Sequence, residues 1–331
     1  MSLAHPYLLF LGDAPDPLAA KVAQGIRDWR PDASVGQFRM AGCNADMGLP
    51  DMTVAEAAAA GAKTLVIGVA NRGGVISPAW KAVLIEAMEA GMDIAAGLHN
   101  LLRNEADLVE AARRTGKVLH DVRLPERAYP IGDGKRRPGK RVLAVGTDCS
   151  CGKMYTALAM EKEMRARGMN ADFRATGQTG ILITGEGVPL DAVVADFMAG
   201  SIEVLCPAND PDHWDVIEGQ GSLFHPSFSG VTMALIHGSQ ADALVLCHEP
   251  TRTHMRGLPH YPSPRLEDLP DMVMPAARVV NPDVRAIGCS INTAALSHEE
   301  AQSYLETMEQ IMGLPCVDPY RDGAARLVDV L

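Results

Sequence analysis

Residues 141–156 carry the side chains whose types and spacing most clearly indicate chemistry. An apolar run typical of a buried strand leads into a loop with two glycines and a lysine, and a segment compatible with a helix follows. Such glycines let backbone N–H groups turn toward an anion, while the helix N-terminus and the lysine add positive charge. The pattern predicts a phosphate-binding P-loop. Its residues are Gly146, Thr147, Asp148, Cys149, Ser150, Cys151, Gly152, Lys153, Met154 and Tyr155.

The predicted P-loop departs from the usual motif in two ways. The spacing between Gly146 and Gly152 is one residue longer than usual, and Met154 follows the lysine where a Ser or Thr would hold Mg²⁺. Thr156 comes later and faces elsewhere on a helix. The loop therefore predicts anion binding and gives much weaker support for ATP hydrolysis. A glycine turn that binds nothing is the simpler alternative, which the strand, the glycines and the lysine together disfavour.

A second landmark is an acid followed by glycines at the end of a short apolar strand, in residues 215–222. This matches the Walker B position, where an acid coordinates a metal or positions a nucleophile. A tight turn with a surface glutamate is the alternative. A glycine turn rich in hydrogen-bonding groups, residues 176–180, lies upstream. The candidates for catalysis are Glu218, His225, Gln178 and Ser222.

Candidates for substrate binding follow from strand ends, because ligands in open α/β sheets bind beyond the carboxyl ends of strands. Asn71 and Arg72 follow one such end, and the arginine could grip a carboxylate in forked geometry. A solvated loop arginine is an equally good interpretation. Arg174 and Thr179 are the further candidates, and residues 251–256 form a loop dense in hydrogen-bond donors.

Strand patterns alternate with helix patterns along the chain, which predicts parallel sheets and an α/β fold. Residues 1–124 are predicted to form a Rossmann-like domain, residues 125–139 a linker, and residues 140–331 a P-loop NTPase-like domain. The first predicted strand is followed by Asp13 and Asp16 instead of the dinucleotide-binding glycine pattern. NAD binding is therefore disfavoured.

The linker region contains a basic cluster, and a solubilising linker is its favoured interpretation. The sharper alternative is a second phosphate contact beside the P-loop. The members of the cluster are Lys135, Arg136, Arg137, Lys140 and Arg141.

Composition excludes several classes of function. The formal net charge of −11 disfavours general nucleic-acid binding, so a polyanionic ligand needs a local positive site. No apolar run is long enough to span a membrane, and the N-terminus does not resemble a signal peptide. The seven scattered cysteines suggest reduced thiols in a cytoplasm. Cys149 and Cys151 lack the further ligands that a metal site needs, although a lowered thiol pKa at the helix N-terminus stays open.

The joint set of motifs carries a family resemblance. The Gly-Thr-Asp start and long spacing of the P-loop resemble dethiobiotin synthetases, which have a similar Glu-Gly segment. The order of the P-loop, residues 178–180, residues 217–222 and His225-Pro226 behind a Rossmann-like domain resembles the DgcN family. Members of that family are D-glutamate N-acetyltransferases that use acetyl-CoA. The resemblance implies that Gly146 to Lys153 cradle the CoA phosphates and that Glu218 borders the reaction centre.

The implied reaction is attack of the D-glutamate amine on the thioester. Acyl transfer breaks no phosphate bond, so a P-loop without its Mg²⁺ hydroxyl suits an anchor. Glu218 is the first candidate for the base and His225 the second. Gln178, Ser222 or loop N–H groups would stabilise the oxyanion, and Arg72 with Arg174 would bind the substrate carboxylates.

The rival interpretation is an ATP- and Mg²⁺-dependent ligase or kinase of the dethiobiotin synthetase type. In that case Asp148 and Glu218 would hold Mg²⁺ and Lys153 would contact the γ-phosphate. A nucleotide-sensing regulator without turnover is a third possibility. A homo-oligomer is expected in each case, because enzymes of this architecture are commonly symmetric assemblies.

Overall fold

The structure is a computed structural model that describes residues 3–17, 19–69, 75–125 and 127–331. The chain forms two compact units. The first consists of Met1–Glu126 with Gly177–Ala192, and the second of Arg127–Thr176 with Val193–Leu331.

Both units are built from alternating strands and helices. The strands are β1 (Tyr7–Gly12), β2 (Ser34–Arg39), β3 (Thr64–Ile67), β4 (Asp93–Ala96), β5 (Leu119–Asp121), β6 (Lys140–Gly146), β7 (Ala171–Arg174), β8 (Trp214–Ile217), β9 (Ala243–His248), β10 (His254–Met255), β11 (Leu258–Pro262), β12 (Arg285–Ile291) and β13 (Cys316–Val317). The helices are α1 (Lys21–Trp29), α2 (Val54–Ala59), α3 (Pro78–Glu89), α4 (Ala106–Thr115), α5 (Lys153–Ala166), α6 (Gln178–Thr184), α7 (Ala195–Leu205), α8 (Ser229–Ser239), α9 (Leu269–Arg278), α10 (His298–Met312) and α11 (Ala325–Val328).

The first unit contains a parallel sheet in the order β2-β1-β3-β4-β5. Every residue of β1 is buried, as expected for a strand covered on both faces. The turn after β1 is filled by Trp80, whose indole N–H donates to Asp13 at 2.9 Å. This unit has the Rossmann-like α/β architecture that the alternating pattern predicted.

Residues 177–192 correct the predicted domain organisation. The sequence prediction places them in the P-loop domain, but in the structure they pack with the first unit, where α6 contacts α1. The predicted glycine turn at 176–180 is instead the start of α6, with Gly177 at its N-cap. The buried residues Ile181, Leu182 and Ile183 need an apolar surface, and the first unit supplies it. Order along the chain does not reveal which unit provides such a surface.

The second unit contains a parallel sheet in the order β13-β12-β9-β6-β8-β7, with β10 and β11 forming a separate antiparallel pair. The predicted P-loop connects β6, in the middle of the sheet, to α5. Because the sheet is parallel, the carboxyl ends of β6, β8 and β9 lie at one edge. The segments that follow these three strands therefore meet around the P-loop.

The basic cluster belongs to the opposite edge of this sheet. Arg141 is fully buried at the beginning of β6 and donates to the carbonyl oxygen of Pro138 at 2.9 Å. Arg137 donates to a carbonyl oxygen of α8 at 2.7 Å, and Arg136 pairs with Asp242 at 3.0 Å. These arginines hold the connecting segment against the second unit. The alternative of a phosphate contact beside the P-loop is therefore wrong for them.

In the described part of the chain no helix has both the length and the apolar character needed to cross a membrane.

Candidate active site around the P-loop

The P-loop has the backbone conformation of an anion cradle. Ser150 and Gly152 adopt positive φ values of 54° and 107°, which turns successive N–H groups toward one side. Within the described residues, the backbone N–H groups of Ser150 through Met154 donate to no protein acceptor. A non-glycine residue at positive φ costs free energy, so this loop keeps a strained conformation that leaves donors open.

Lys153 is folded back into the loop. Its ammonium group donates to the carbonyl oxygen of Asp148 at 2.6 Å and lies 3.6 Å from the sulfur of Cys151. The residue is only 5% exposed and forms no ion pair with a described acid. Binding a phosphate through Lys153 requires exchanging a neutral carbonyl contact for a charged one, which is favourable.

Asp148 is held by an arginine that sequence reasoning did not select. Its carboxylate accepts hydrogen bonds from the guanidinium of Arg252 at 2.6 Å, the backbone N–H of Arg256 at 2.8 Å and that of Cys149 at 2.6 Å. Arg252 also donates to the carbonyl oxygen of Cys149 and pairs with Glu249. The segment after β9 is thereby tied to the P-loop.

Asp148, Cys149 and His225 place one potential metal-ligating atom each within 4.8 Å of one another. Asp148 and His225 are already engaged in hydrogen bonds, however. His225 Nδ1 accepts from the backbone N–H of Ser227 and its Nε2 donates to the carbonyl oxygen of Arg256, each at 3.2 Å. Burial raises the pKa of the Cys149 thiol, so the lowered pKa considered from sequence is wrong. The hydrogen bonds of Asp148 and His225 link the P-loop to the neighbouring segments around Ser227 and Arg256.

Glu218 follows β8 and lies beside the P-loop strand, as the Walker B interpretation predicted. It is 4% exposed, and its Oε2 accepts from the backbone N–H of Thr176 at 2.8 Å. The position after Glu218 requires a glycine, because a Cβ at Gly219 would lie 1.7 Å from the carbonyl oxygen of Ala144 and 2.9 Å from the side chain of Lys153. Glu218 is therefore brought close to the lysine of the loop.

Thr147 connects the three neighbouring strand ends. Its N–H donates to the carbonyl oxygen of Cys247 at 3.0 Å, and its carbonyl oxygen accepts from the Ser222 hydroxyl at 2.9 Å. Its own hydroxyl lies 2.9 Å from Nδ1 of His248, the last residue of β9. Ser222 is predicted to stabilise an oxyanion, but its hydroxyl donates its hydrogen bond to the P-loop backbone.

The position of Thr156 in α5 shows that it does not supply the hydroxyl that usually holds Mg²⁺. Thr156 directs its hydroxyl to the carbonyl oxygen of Gly152 at 3.0 Å and to the Ser290 hydroxyl at 2.7 Å, inside the fold. It therefore does not replace the hydroxyl that Met154 lacks.

The structure does not place the other predicted site residues that it describes beside the P-loop in the second unit. Arg174 ends β7, but its guanidinium pairs with the buried carboxylate of Asp215 at 2.6 Å. Gln178 and Thr179 lie on α6 in the first unit. Asn71 and Arg72 lie outside the described residues. Their substrate-binding and catalytic roles stay predictions.

Comparison with known families decides the membership of the chain. Residues 130–328 match the family described as a domain of unknown function, the DUF1611 P-loop domain. Residues 38–125 match its Rossmann-like N-terminal domain. The chain belongs to the DUF1611 family. The α/β fold with a Rossmann-like and a P-loop domain is thereby confirmed.

Three relatives of this DUF1611 protein extend over nearly its whole length. A D-glutamate N-acetyltransferase of Tritonibacter scottomollicae is 69% identical over 326 residues, 98% of each chain. A D-glutamate N-acetyltransferase of a Pseudoalteromonas species is 49% identical over 328 residues, 99% of each chain. A crystal structure of a DUF1611 family protein from Anabaena variabilis has a TM-score of 0.86 at 32% identity and covers 99% of both chains. The resemblance to the D-glutamate N-acetyltransferases is confirmed.

Two functional candidates of the DUF1611 protein were missed in the sequence. Arg252 lies in the donor-rich loop and binds a residue 104 positions away. His248 ends a buried strand, and its partner Thr147 is 101 positions away. The position of each at or just after the end of a strand is the signal in the sequence, because the carboxyl ends of parallel strands lie together. The strand order that makes them neighbours was not available.

Proposed function

We propose that this protein transfers an acetyl group from acetyl-CoA to the amine of D-glutamate, with the P-loop binding the phosphates of CoA. The two full-length relatives named D-glutamate N-acetyltransferase support the reaction. The observation that carries the phosphate assignment is the run of N–H groups from Ser150 to Met154, which have no acceptor among the described residues and include that of the buried Lys153. A polyanion is the ligand class that such a cradle favours.

The charges around the loop support a ligand with more than one phosphate. In a chain of net charge −11, Lys153 and Arg256 bring positive charge to this strand edge, while Arg252 is already paired with Asp148 and Glu249. The Arg256 side chain is exposed and pairs with no acid among the described residues. Its backbone is fixed to Asp148, so its guanidinium stays near the loop. CoA offers a pyrophosphate and a separate 3′-phosphate to these groups.

In the proposed reaction the amine attacks the thioester carbonyl, and a base accepts the proton that the amine loses. Glu218 stands at the edge of the loop with its carboxylate oriented by Thr176, which fits a reacting or positioning acid. Donors other than the phosphate-binding N–H groups of Ser150 to Met154 stabilise the oxyanion, since each well-placed donor contributes about 3–4 kcal/mol. Collapse of the tetrahedral intermediate breaks the C–S bond and releases CoA.

The geometry favours acyl transfer over the ATP-dependent rival. In the rival reaction Asp148 would coordinate Mg²⁺, but its carboxylate already accepts three hydrogen bonds from Arg252, Arg256 and Cys149. Met154 supplies no hydroxyl, and Thr156 turns away. Of the groups that would hold the metal, Asp148 is thus engaged and the hydroxyl that usually follows the lysine is missing.

Release of free CoA thiol tests the proposal. The purified protein is incubated with acetyl-CoA and D-glutamate, L-glutamate or no amine, and thiol is followed with and without EDTA. Release that depends on D-glutamate and is indifferent to EDTA is expected. No thiol release, together with Mg²⁺-dependent binding of ATP, would establish the rival instead.

A matched pair of variants tests the acid. Glu218→Gln should abolish transfer and leave the affinity for acetyl-CoA near normal, because the amide keeps the shape of the side chain and loses its charge. Glu299→Gln, at an exposed position in α10, is the control and should behave as wild type. Wild-type turnover of Glu218→Gln would remove Glu218 from the reaction centre.

A further inference from the structure

His248 is a buried imidazole with one open nitrogen beside the P-loop. The residue is 6% exposed, and Nδ1 faces the Thr147 hydroxyl at 2.9 Å. Nε2 has no hydrogen-bond partner among the described residues. It is also not one of the side-chain atoms that are fully buried without a partner, so solvent or a ligand can reach it. Such an atom can contact a ligand without first losing a hydrogen bond to the protein.

The orientation of the ring is fixed from two directions. Thr147 is held by the carbonyl oxygen of Cys247 on one side and by the Ser222 hydroxyl on the other. Its hydroxyl can accept a hydrogen bond from Nδ1–H, which leaves the lone pair of Nε2 free. The arrangement is that of a base whose second nitrogen is oriented by a neighbouring group.

The surroundings keep this imidazole neutral. Burial lowers the pKa of His248 to about 4, and the positive charge of Arg252 acts in the same direction. Glu267 opposes the shift and does not overcome it. The ring is therefore unprotonated at neutral pH, so no proton blocks the lone pair of Nε2.

The two bases predicted from the sequence are less open. His225 donates from Nε2 and accepts at Nδ1, so neither nitrogen has a free lone pair. The Glu218 carboxylate accepts from the backbone N–H of Thr176 and lies 3.5 Å from the side-chain amide of Gln220. Of the three side chains, His248 has the nitrogen that a substrate amine can reach without breaking a contact.

We propose that His248 is the general base of the acetyl transfer, oriented by Thr147. The inference rests on the proposed function and deepens it. Nε2 accepts a proton from the substrate amine as the N–C bond to the acetyl carbon forms. The same proton then passes to the sulfur as the C–S bond breaks, so the products are the N-acetyl amino acid and CoA thiol. Glu218 positions groups at the loop and does not take the proton.

Steady-state kinetics of His248→Gln test the proposal, with acetyl-CoA affinity measured by calorimetry. We expect kcat to fall by about 10²–10⁴-fold, the usual contribution of a positioned base. Affinity for acetyl-CoA should stay unchanged, because the P-loop is intact. His260→Gln is the control, since that residue lies on the exposed strand β11. Turnover of His248→Gln at the wild-type rate would overturn the proposal.

Two further readouts separate a catalytic role from a merely structural one. Added imidazole should restore part of the turnover of His248→Ala, and its failure to do so in a folded variant that binds acetyl-CoA would count against the proposal. Thr147→Val removes the acceptor for Nδ1–H without touching His248 and should lower kcat more than it changes KM. If His248→Gln does not fold, an unchanged kcat in Thr147→Val decides against His248. Wild-type protein that releases no thiol refutes the proposed function itself, which distinguishes the two failures.

Discussion

Replacing Arg252 by Ala should destabilise the second unit through the P-loop. The guanidinium donates to the Asp148 carboxylate at 2.6 Å and to the carbonyl oxygens of Cys149 at 2.7 Å and Ser150 at 3.3 Å. The Asp148 side chain is 2% exposed and that of Arg252 is 14% exposed. The variant leaves a buried carboxylate without its counter-charge.

The expected loss follows from this geometry. Removing one partner of a buried ion pair costs about 3–5 kcal/mol. The pair is near the surface on the arginine side, and Asp148 keeps the backbone N–H groups of Cys149 and Arg256. We therefore expect a loss at the low end of this range, about 3 kcal/mol in the free energy of unfolding, together with weaker binding of acetyl-CoA.

Urea unfolding followed by circular dichroism measures this loss. Arg265→Ala is the matched control, because Arg265 pairs with Asp268 at the surface with 70% of its side chain exposed. Exposed pairs are screened by solvent and contribute little. Equal unfolding midpoints for Arg252→Ala and Arg265→Ala would refute the reasoning that Arg252 supports the loop.

Three further predictions follow from single positions. Gly219→Ala forces a Cβ into a carbonyl oxygen of β6 and should lower the free energy of unfolding by at least about 1–3 kcal/mol. Gly230→Ala in α8 is the control, because its Cβ meets no atom within 4 Å and should leave stability unchanged or raise it. Denaturation of the two variants compares them. Met154→Thr should not create Mg²⁺-dependent ATP binding in calorimetry, because the Asp148 carboxylate stays engaged; a gain of such binding would contradict the anchor account. The pKa of His248 is lowered from the ordinary 6.5 to about 4 in the folded protein. Between these two values the unfolded chain binds a proton at His248 that the folded chain does not bind. The free energy of unfolding should therefore fall by about 3 kcal/mol as the pH drops through this window. His248→Gln should show a smaller fall when its unfolding free energy is measured at both ends of the window.

Local patterns made much of the fold predictable. The alternation of strands and helices that predicts parallel sheets appears in both units. The P-loop was predictable because its glycines and lysine lie within one short stretch between a strand and a helix. In these cases the residues that interact are close in sequence.

Side-chain partners distant in sequence were not predictable. Arg174 was expected to bind a substrate carboxylate, yet it pairs with Asp215 across neighbouring strands. Arg252 and His248 contact residues of the P-loop that become neighbours only through the order of the strands. The docking of α6 on the first unit depends on complementary apolar surfaces, which a single chain pattern does not encode. The predicted homo-oligomeric state, cytoplasmic location and partners stay predictions.

A crystal structure with acetyl-CoA bound tests the central claim most directly. The account predicts phosphate oxygens on the N–H groups of Ser150 to Met154, with Lys153 moved from the Asp148 carbonyl onto the ligand and the thioester within reach of His248. A bound acetyl-CoA whose phosphates lie away from this loop, with Lys153 still on the Asp148 carbonyl, would contradict it.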